Sequence, residues 1–164
     1  MATAYSKIQR NFWETDEARE MTPEEKYFWM YLQTNANVNT LGCYAFRMRK
    51  AMDETGYNRE TLEKLLQRME QVLRILYDEG TKEVFLLHWA EGNWNKKTAT
   101  LRALAADLKE IQSKTLKETV KTLLLKNGIF TEEEVEKAEK TAPSAQERNE
   151  MEQRGTTGNK RSGE

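Results

Sequence analysis

Between Gly42 and Trp89 the chain orders its signals in a way few folds use. A short apolar strand, Leu41 to Phe46, leads into a helical run from Arg47 to Glu54 with Met48, Ala51 and Met52 on one side. Gly56 is the residue type that ends a helix in the left-handed conformation. Asn58 can cap a second helix, in which Leu62, Leu65, Leu66, Met69 and Leu73 recur at helical spacing. Two β-patterned segments follow, Arg74 to Tyr77 and Glu83 to Trp89, hinged at Glu79-Gly80-Thr81. Strand, helix, glycine-bearing turn, helix and hairpin is the order of a winged helix-turn-helix, a module that usually lays its second helix in a DNA groove. The expected fold is therefore mostly α with a small β-hairpin, a winged helix-turn-helix followed by a C-terminal helical extension.

The flanks divide around that module. Residues 1–20 read as an N-terminal arm anchored by Phe12 and Trp13. Thr22-Pro23-Glu24-Glu25 opens the domain at 21–97 with an N-cap, a proline at the first helical position and a capping box. This first long helix carries Tyr27, Phe28, Tyr31 and Leu32 on one face, and Trp29 and Met30 lie off it. It is apolar over more than a core-facing stripe needs. The surplus fits either extra core beneath the arm or a subunit interface, and Phe12, Trp13, Trp29 and Met30 are the candidates for self-association. Residues 98–140 form the helical extension. Leu101, Leu104, Ala105, Leu108 and Ile111 stripe its first helix, Thr115 and Glu118 open a second, and Thr131 and Glu134 open a weak acidic third. These stripes bury either in cis or against a second copy. Residues 141–164 read as a disordered tail on composition.

Chemistry is sparse. His88 is the only histidine and Cys43 the only cysteine, so no disulfide within the chain and no zinc site of usual ligand spacing is expected. No glycine-rich phosphate loop and no triad context occur. The expectation is a non-enzyme without cofactor or metal. His88 reads as a strand residue and Cys43 as a small buried apolar one. No apolar run approaches membrane-spanning length, which points to a soluble, cytoplasmic protein with no membrane partner.

Lys and Arg number 26 against 27 Asp and Glu, a balance that counts against strong non-specific DNA affinity. Projected at 100° per residue, the second helix faces outward with Glu60, Lys64, Gln67 and Gln71, flanked by Glu63 and Arg68. Gln67 and Gln71 can read adenine edges, and Lys64 or Arg68 guanine edges or phosphates. Arg59 can meet the backbone, and Arg47, Arg49 and Lys50 add positive charge from the preceding helix. Glu60, Glu63 and the acidic hairpin tip Asp78-Glu79 oppose this, so groove contact and a solvated or protein-docking face both stand. Lys109, Lys114, Lys117, Lys121 and Lys126 offer either a second, sequence-independent contact or a solvated face.

Several strings together resemble one family: Asn11-Phe12-Trp13, Pro23 to Phe28, Tyr31 to Asn35, Leu41 to Tyr44, Glu54-Thr55-Gly56-Tyr57, and His88-Trp89 to Asn93-Trp94. They are similar, over roughly residues 8 to 97, to the N-terminal domain of phage replisome organisers, relatives of the DnaD-type primosomal proteins. The resemblance implies a self-associating winged helix that binds double- or single-stranded DNA in replication initiation and helps recruit a helicase loader or helicase. The Tyr-x-x-x-Ile-x-x-x-Trp pattern that closes the family's C-terminal domain is absent, since no Tyr follows Tyr77 and no Trp follows Trp94. The resemblance therefore assigns nothing to the later helices. Two other readings remain open at this point: a transcription regulator binding an operator as a dimer, and a protein-interaction module without DNA contact.

Overall fold

The computed structural model describes residues 4–141, so the tail expected over 141–164 lies outside the described residues except for Thr141. Capping side chains set most helix starts. In the arm, a 3-10 turn (Arg10–Glu14) leads to α1 (Asp16–Glu20), where Thr15 Oγ1 accepts from the Ala18 N–H at 3.2 Å. In α2 (Pro23–Thr34), Thr22 Oγ1 accepts from the Glu25 N–H at 3.2 Å while the Glu25 carboxylate accepts from the Thr22 N–H at 2.9 Å. This is the capping box expected from the sequence. It also turns Glu25 inward and so sets the phase of the helix. The buried face is Glu25, Phe28, Trp29 and Leu32, whereas Tyr27 is exposed and Tyr31 half-buried, which corrects the expected face.

A sheet and two helices follow: β1 (Cys43–Ala45), α3 (Met48–Thr55), α4 (Arg59–Gln71), β2 (Ile75–Asp78) and β3 (Glu83–Leu86). The strands pair antiparallel in the order β1-β3-β2, with Tyr44 and Tyr77 both opposite Val84. Gly56 ends α3 at φ 81°, and Asn58 Oδ1 opens α4 by accepting from the Thr61 N–H at 2.9 Å. Leu73, at φ 54°, turns the chain from α4 into β2, and Lys82, at φ 56°, closes the hairpin tip. Left-handed geometry at a non-glycine residue costs about 1–2 kcal/mol.

The second hairpin strand is shorter than expected. It ends at Leu86, and Trp89 begins a short helix, α5 (Trp89–Asn93), with His88 at its N-cap position. Two indole N–H groups account for the change of direction. Trp89 donates to the Thr40 carbonyl at 3.0 Å and Trp94 to the Leu41 carbonyl at 3.2 Å, drawing the chain across the turn before β1. Gly42 is required beneath Trp89: its φ is 77°, and a Cβ there would lie 2.4 Å from the indole.

The extension consists of α6 (Thr98–Glu110), α7 (Lys114–Lys126) and α8 (Glu132–Thr141). Its stripes bury in cis. Leu104, Leu108, Val120 and Leu124 are fully enclosed in the same core as Phe28, Leu32, Leu62, Met69 and Phe85. All four residues of β3 are buried, so both faces of the sheet are covered. β3 begins with the buried Glu83, whose carboxylate accepts from the Gln112 N–H at 3.1 Å and the Ser113 N–H at 2.7 Å. Ser113 Oγ accepts from the Leu116 N–H at 3.1 Å and donates to Asp78. The cap of α7 is therefore Ser113, not Thr115, which lies inside the helix, while Glu118 pairs with Lys121 at 3.0 Å. The box expected from Thr131 and Glu134 does open α8, with Thr131 N–H donating to Glu134 at 2.7 Å. No helix among the described residues is long and apolar enough to cross a membrane.

Two substitutions test these joints by urea unfolding. Gly42→Ala combines a strained φ with a clash against Trp89 and is expected to cost about 3 kcal/mol. Glu83→Ala strands the buried Ser113 N–H and the partly buried Gln112 N–H and is expected to cost about 2–3 kcal/mol, with amide-exchange protection falling first in α7.

Candidate nucleic-acid interface

The apolar spacing of α4 puts Leu62, Leu65, Leu66 and Met69 inward, and Glu60, Glu63, Lys64, Gln67 and Gln71 are exposed as expected. The cations on this helix are nevertheless committed. Lys64 Nζ lies 2.7 Å from Glu60, and Arg59 lies 3.9 Å from Glu63. The Lys64 hydrogen bond, reinforced by its charge, holds the Glu60 carboxyl below the usual carboxylate range. Arg68 turns away from the outer face, and its Nε donates to Glu25 at 2.8 Å, tying α4 to α2. Of the α4 residues expected to contact DNA, Arg59, Lys64 and Arg68 are thus paired within the chain, and Gln67 and Gln71 carry no charge to neutralise. The groove of about 210 Å³ beside Arg59 and Gln67 also contains Glu63, Glu70 and Glu79, with Lys82 as its second cation. A phosphate there would meet more negative than positive side chains.

A neighbouring surface brings four cations together. At the head of α3, Arg47, Arg49 and Lys50 share an open concavity of about 600 Å³ with Lys82 of the hairpin tip, facing Asp53 and Thr81. Arg47 and Arg49 are exposed. Lys50 stands 3.7 Å from Glu54, both partly exposed, and Lys82 pairs with Glu79. The first turn of α3 contains no acidic residue, and its N-cap side chain makes no capping bond. Backbone N–H groups at such a helix start add to the positive potential of the side chains around them. Lys82 is the member that sequence reasoning missed. Its signal was its place at the hairpin tip, two residues after Gly80, but the acids Asp78, Glu79 and Glu83 around it masked it.

The hairpin tip is not a free wing. Asp78 accepts from the Ser113 hydroxyl and from the Gly80 and Thr81 N–H groups at 2.8 and 3.2 Å, which together hold its carboxyl below the usual range. Asp78 and Glu83 therefore serve the joint with α7. Among the C-terminal lysines, Lys121 is held between Glu118 at 3.0 Å and Glu139 at 2.7 Å, whereas Lys114 and Lys126 are exposed.

The four residues expected in self-association separate. Phe12 and Trp29 are buried in the chain's own core because the arm folds over α2, so neither presents a surface. Met30 is half-buried. Trp13 remains 62% exposed, with Lys26 Nζ 5.8 Å above its ring. Tyr27, 47% exposed and edge-on to Tyr57, is a surface aromatic that the expected helix phase had hidden. His88 is exposed beside Glu91 at 3.7 Å rather than in a strand. Cys43 is buried, and burial pushes its thiol up, far from thiolate chemistry at neutral pH. No group of three or more potential metal ligands occurs among the described residues.

Comparison with protein-family models, with curated proteins and with solved structures finds no match to this chain.

The ion pairs differ in what they hold. Arg68→Ala leaves Glu25 buried and half-satisfied and is expected to cost about 1–2 kcal/mol in chemical denaturation. Lys64→Ala, on an exposed pair, is expected to change stability by less than about 0.5 kcal/mol.

Proposed function

We propose that this chain carries a winged-helix domain and acts as a DNA-associated scaffold of the phage or mobile-element replication-initiation type, self-associating and without catalysis. The order strand, helix, turn, helix, hairpin supports the fold, as does β3 lying between β1 and β2. The DNA reading rests on the convergence of Arg47, Arg49, Lys50 and Lys82 on one concavity. Such a surface meets the phosphodiester backbone, not base edges, and its binding is indifferent to sequence. Trp13 and Tyr27 are the aromatics best placed for self-association. A cytoplasmic setting fits the unpaired Cys43. A helicase loader or helicase as a further partner follows from the resemblance alone.

The charge-paired outer face of α4 favours a second reading, a protein-interaction module without DNA contact. Fluorescence anisotropy with single- and double-stranded DNA at low salt, alongside light scattering, separates the two. The double substitution Arg47→Glu, Arg49→Glu is expected to weaken binding by at least about tenfold, and to flatten the duplex salt dependence by about 0.9 for each phosphate that is no longer neutralised. Lys64→Glu is expected to stay within about twofold of the parent on this backbone reading. No binding at low salt selects the protein module, and a Lys64→Glu weakening that matches the double substitution returns the DNA surface to α4.

A further inference from the structure

A second cleft, of about 290 Å³, runs between the N-terminal arm and the body of the domain, with Arg74, Trp29, Trp89 and Glu17 in its lining. Arg74 is only 9% exposed, an unusual place for an arginine without a full set of partners. Its Nη2 is one of two buried side-chain polar atoms among the described residues that make no hydrogen bond. The guanidinium lies 5.5 Å from the Trp29 ring centre. The closest acid is Glu17, whose Oε2 is 3.6 Å from Nη2, outside hydrogen-bond range.

The backbone leading into this site breaks the usual inside-outside rule. Leu73 adopts a left-handed conformation and is 68% exposed, while the arginine after it is buried. A chain that strains its backbone to expose a leucine and bury an arginine departs from local preference twice within two residues. Such departures cluster at functional sites.

We propose that this cleft receives a carboxylate carried by a peptide side chain, with Arg74 as its anchor and the Trp29 and Trp89 rings as its walls. Glu17 is the stand-in that caps Arg74 in the free chain. It is 63% exposed at its side chain and belongs to the five-residue α1, so a ligand can displace it with little loss of packing. A guanidinium presents a planar pair of donors that matches the two oxygens of a carboxylate, and its desolvation strengthens that pairing. The cleft volume suits one acidic side chain, not a folded element. Lys7 and His88 at the rim add donors, with Glu91 beside His88. This site is separate from the basic concavity and does not depend on the DNA reading.

The test is a titration of the full ¹⁵N-labelled chain with N-acetyl-glutamate N-methylamide at fixed ionic strength, with inorganic phosphate as a parallel arm. Saturable shifts are expected at the Arg74 side-chain N–H and at the indole N–H groups of Trp29 and Trp89. Glu17→Ala, on the exposed arm, is expected to tighten binding by about threefold or more by removing the competitor, and Arg74→Met to weaken it by about tenfold or more. Absence of saturable shifts in the parent overturns the proposal, as does a Glu17→Ala affinity equal to the parent's, whether or not Arg74→Met folds. Phosphate binding as tight as the glutamate derivative overturns the carboxylate assignment.

Discussion

The carboxylate of Glu83 holds the two halves of this structure together. It sits at the head of the central strand, buried, and accepts from the backbone N–H groups of Gln112 and Ser113. Ser113 in turn caps α7 with its own hydroxyl. In an ordinary capping box the N-cap side chain and an acid three residues later satisfy each other's N–H groups. Here the acid comes from a β-strand 30 residues earlier in the chain, so the start of α7 can be satisfied only when the sheet is in place. Helix and sheet are each other's caps, and the core from Phe28 to Leu124 closes around that joint.

The distribution of charge follows from similar commitments. A near-neutral chain with 26 cations and 27 anions can concentrate positive potential only by placing its acids elsewhere. Glu60 and Glu63 neutralise the outer face of α4, Glu25 draws Arg68 inward, and Asp78 and Glu83 are used by α7. At the head of α3, Arg47 and Arg49 are left exposed beside Lys50 and the hairpin's Lys82. The surface that a recognition-helix argument would nominate is thus the more neutral one, and the surface beside it carries the field.

What could be read from the sequence was local. Thr22 with Glu25, Gly56, Asn58 and Thr131 with Glu134 each act within a few residues, and each does so in the structure. The apolar stripe of α4 from Leu62 to Met69 and that of α6 were equally readable, because burial repeats with the helical period. Leu73, expected in the α4 stripe, lies past the helix end and is exposed. Features that depend on distant partners were not readable. Arg68 pairs with a residue 43 positions away, and Trp89 with one 49 positions away. The first took a cation off the flank of α4, and the second turned a strand into a helix. Phe12 and Trp29 looked surplus only because the arm's path over α2 has no periodic signature. Arg74 reads as an ordinary charged strand start until its burial is known.

The hairpin tip is pinned on both sides, by Asp78 to Ser113 and by Glu83 to the segment entering α7, with a left-handed Lys82 between them. Four residues bridge two fixed points. The loop has little freedom left to lose, so the cationic hollow it borders is held in shape before anything occupies it. An occupant of that hollow would bind against a low entropic cost, and its affinity would depend mainly on how well its charges match the preset spacing.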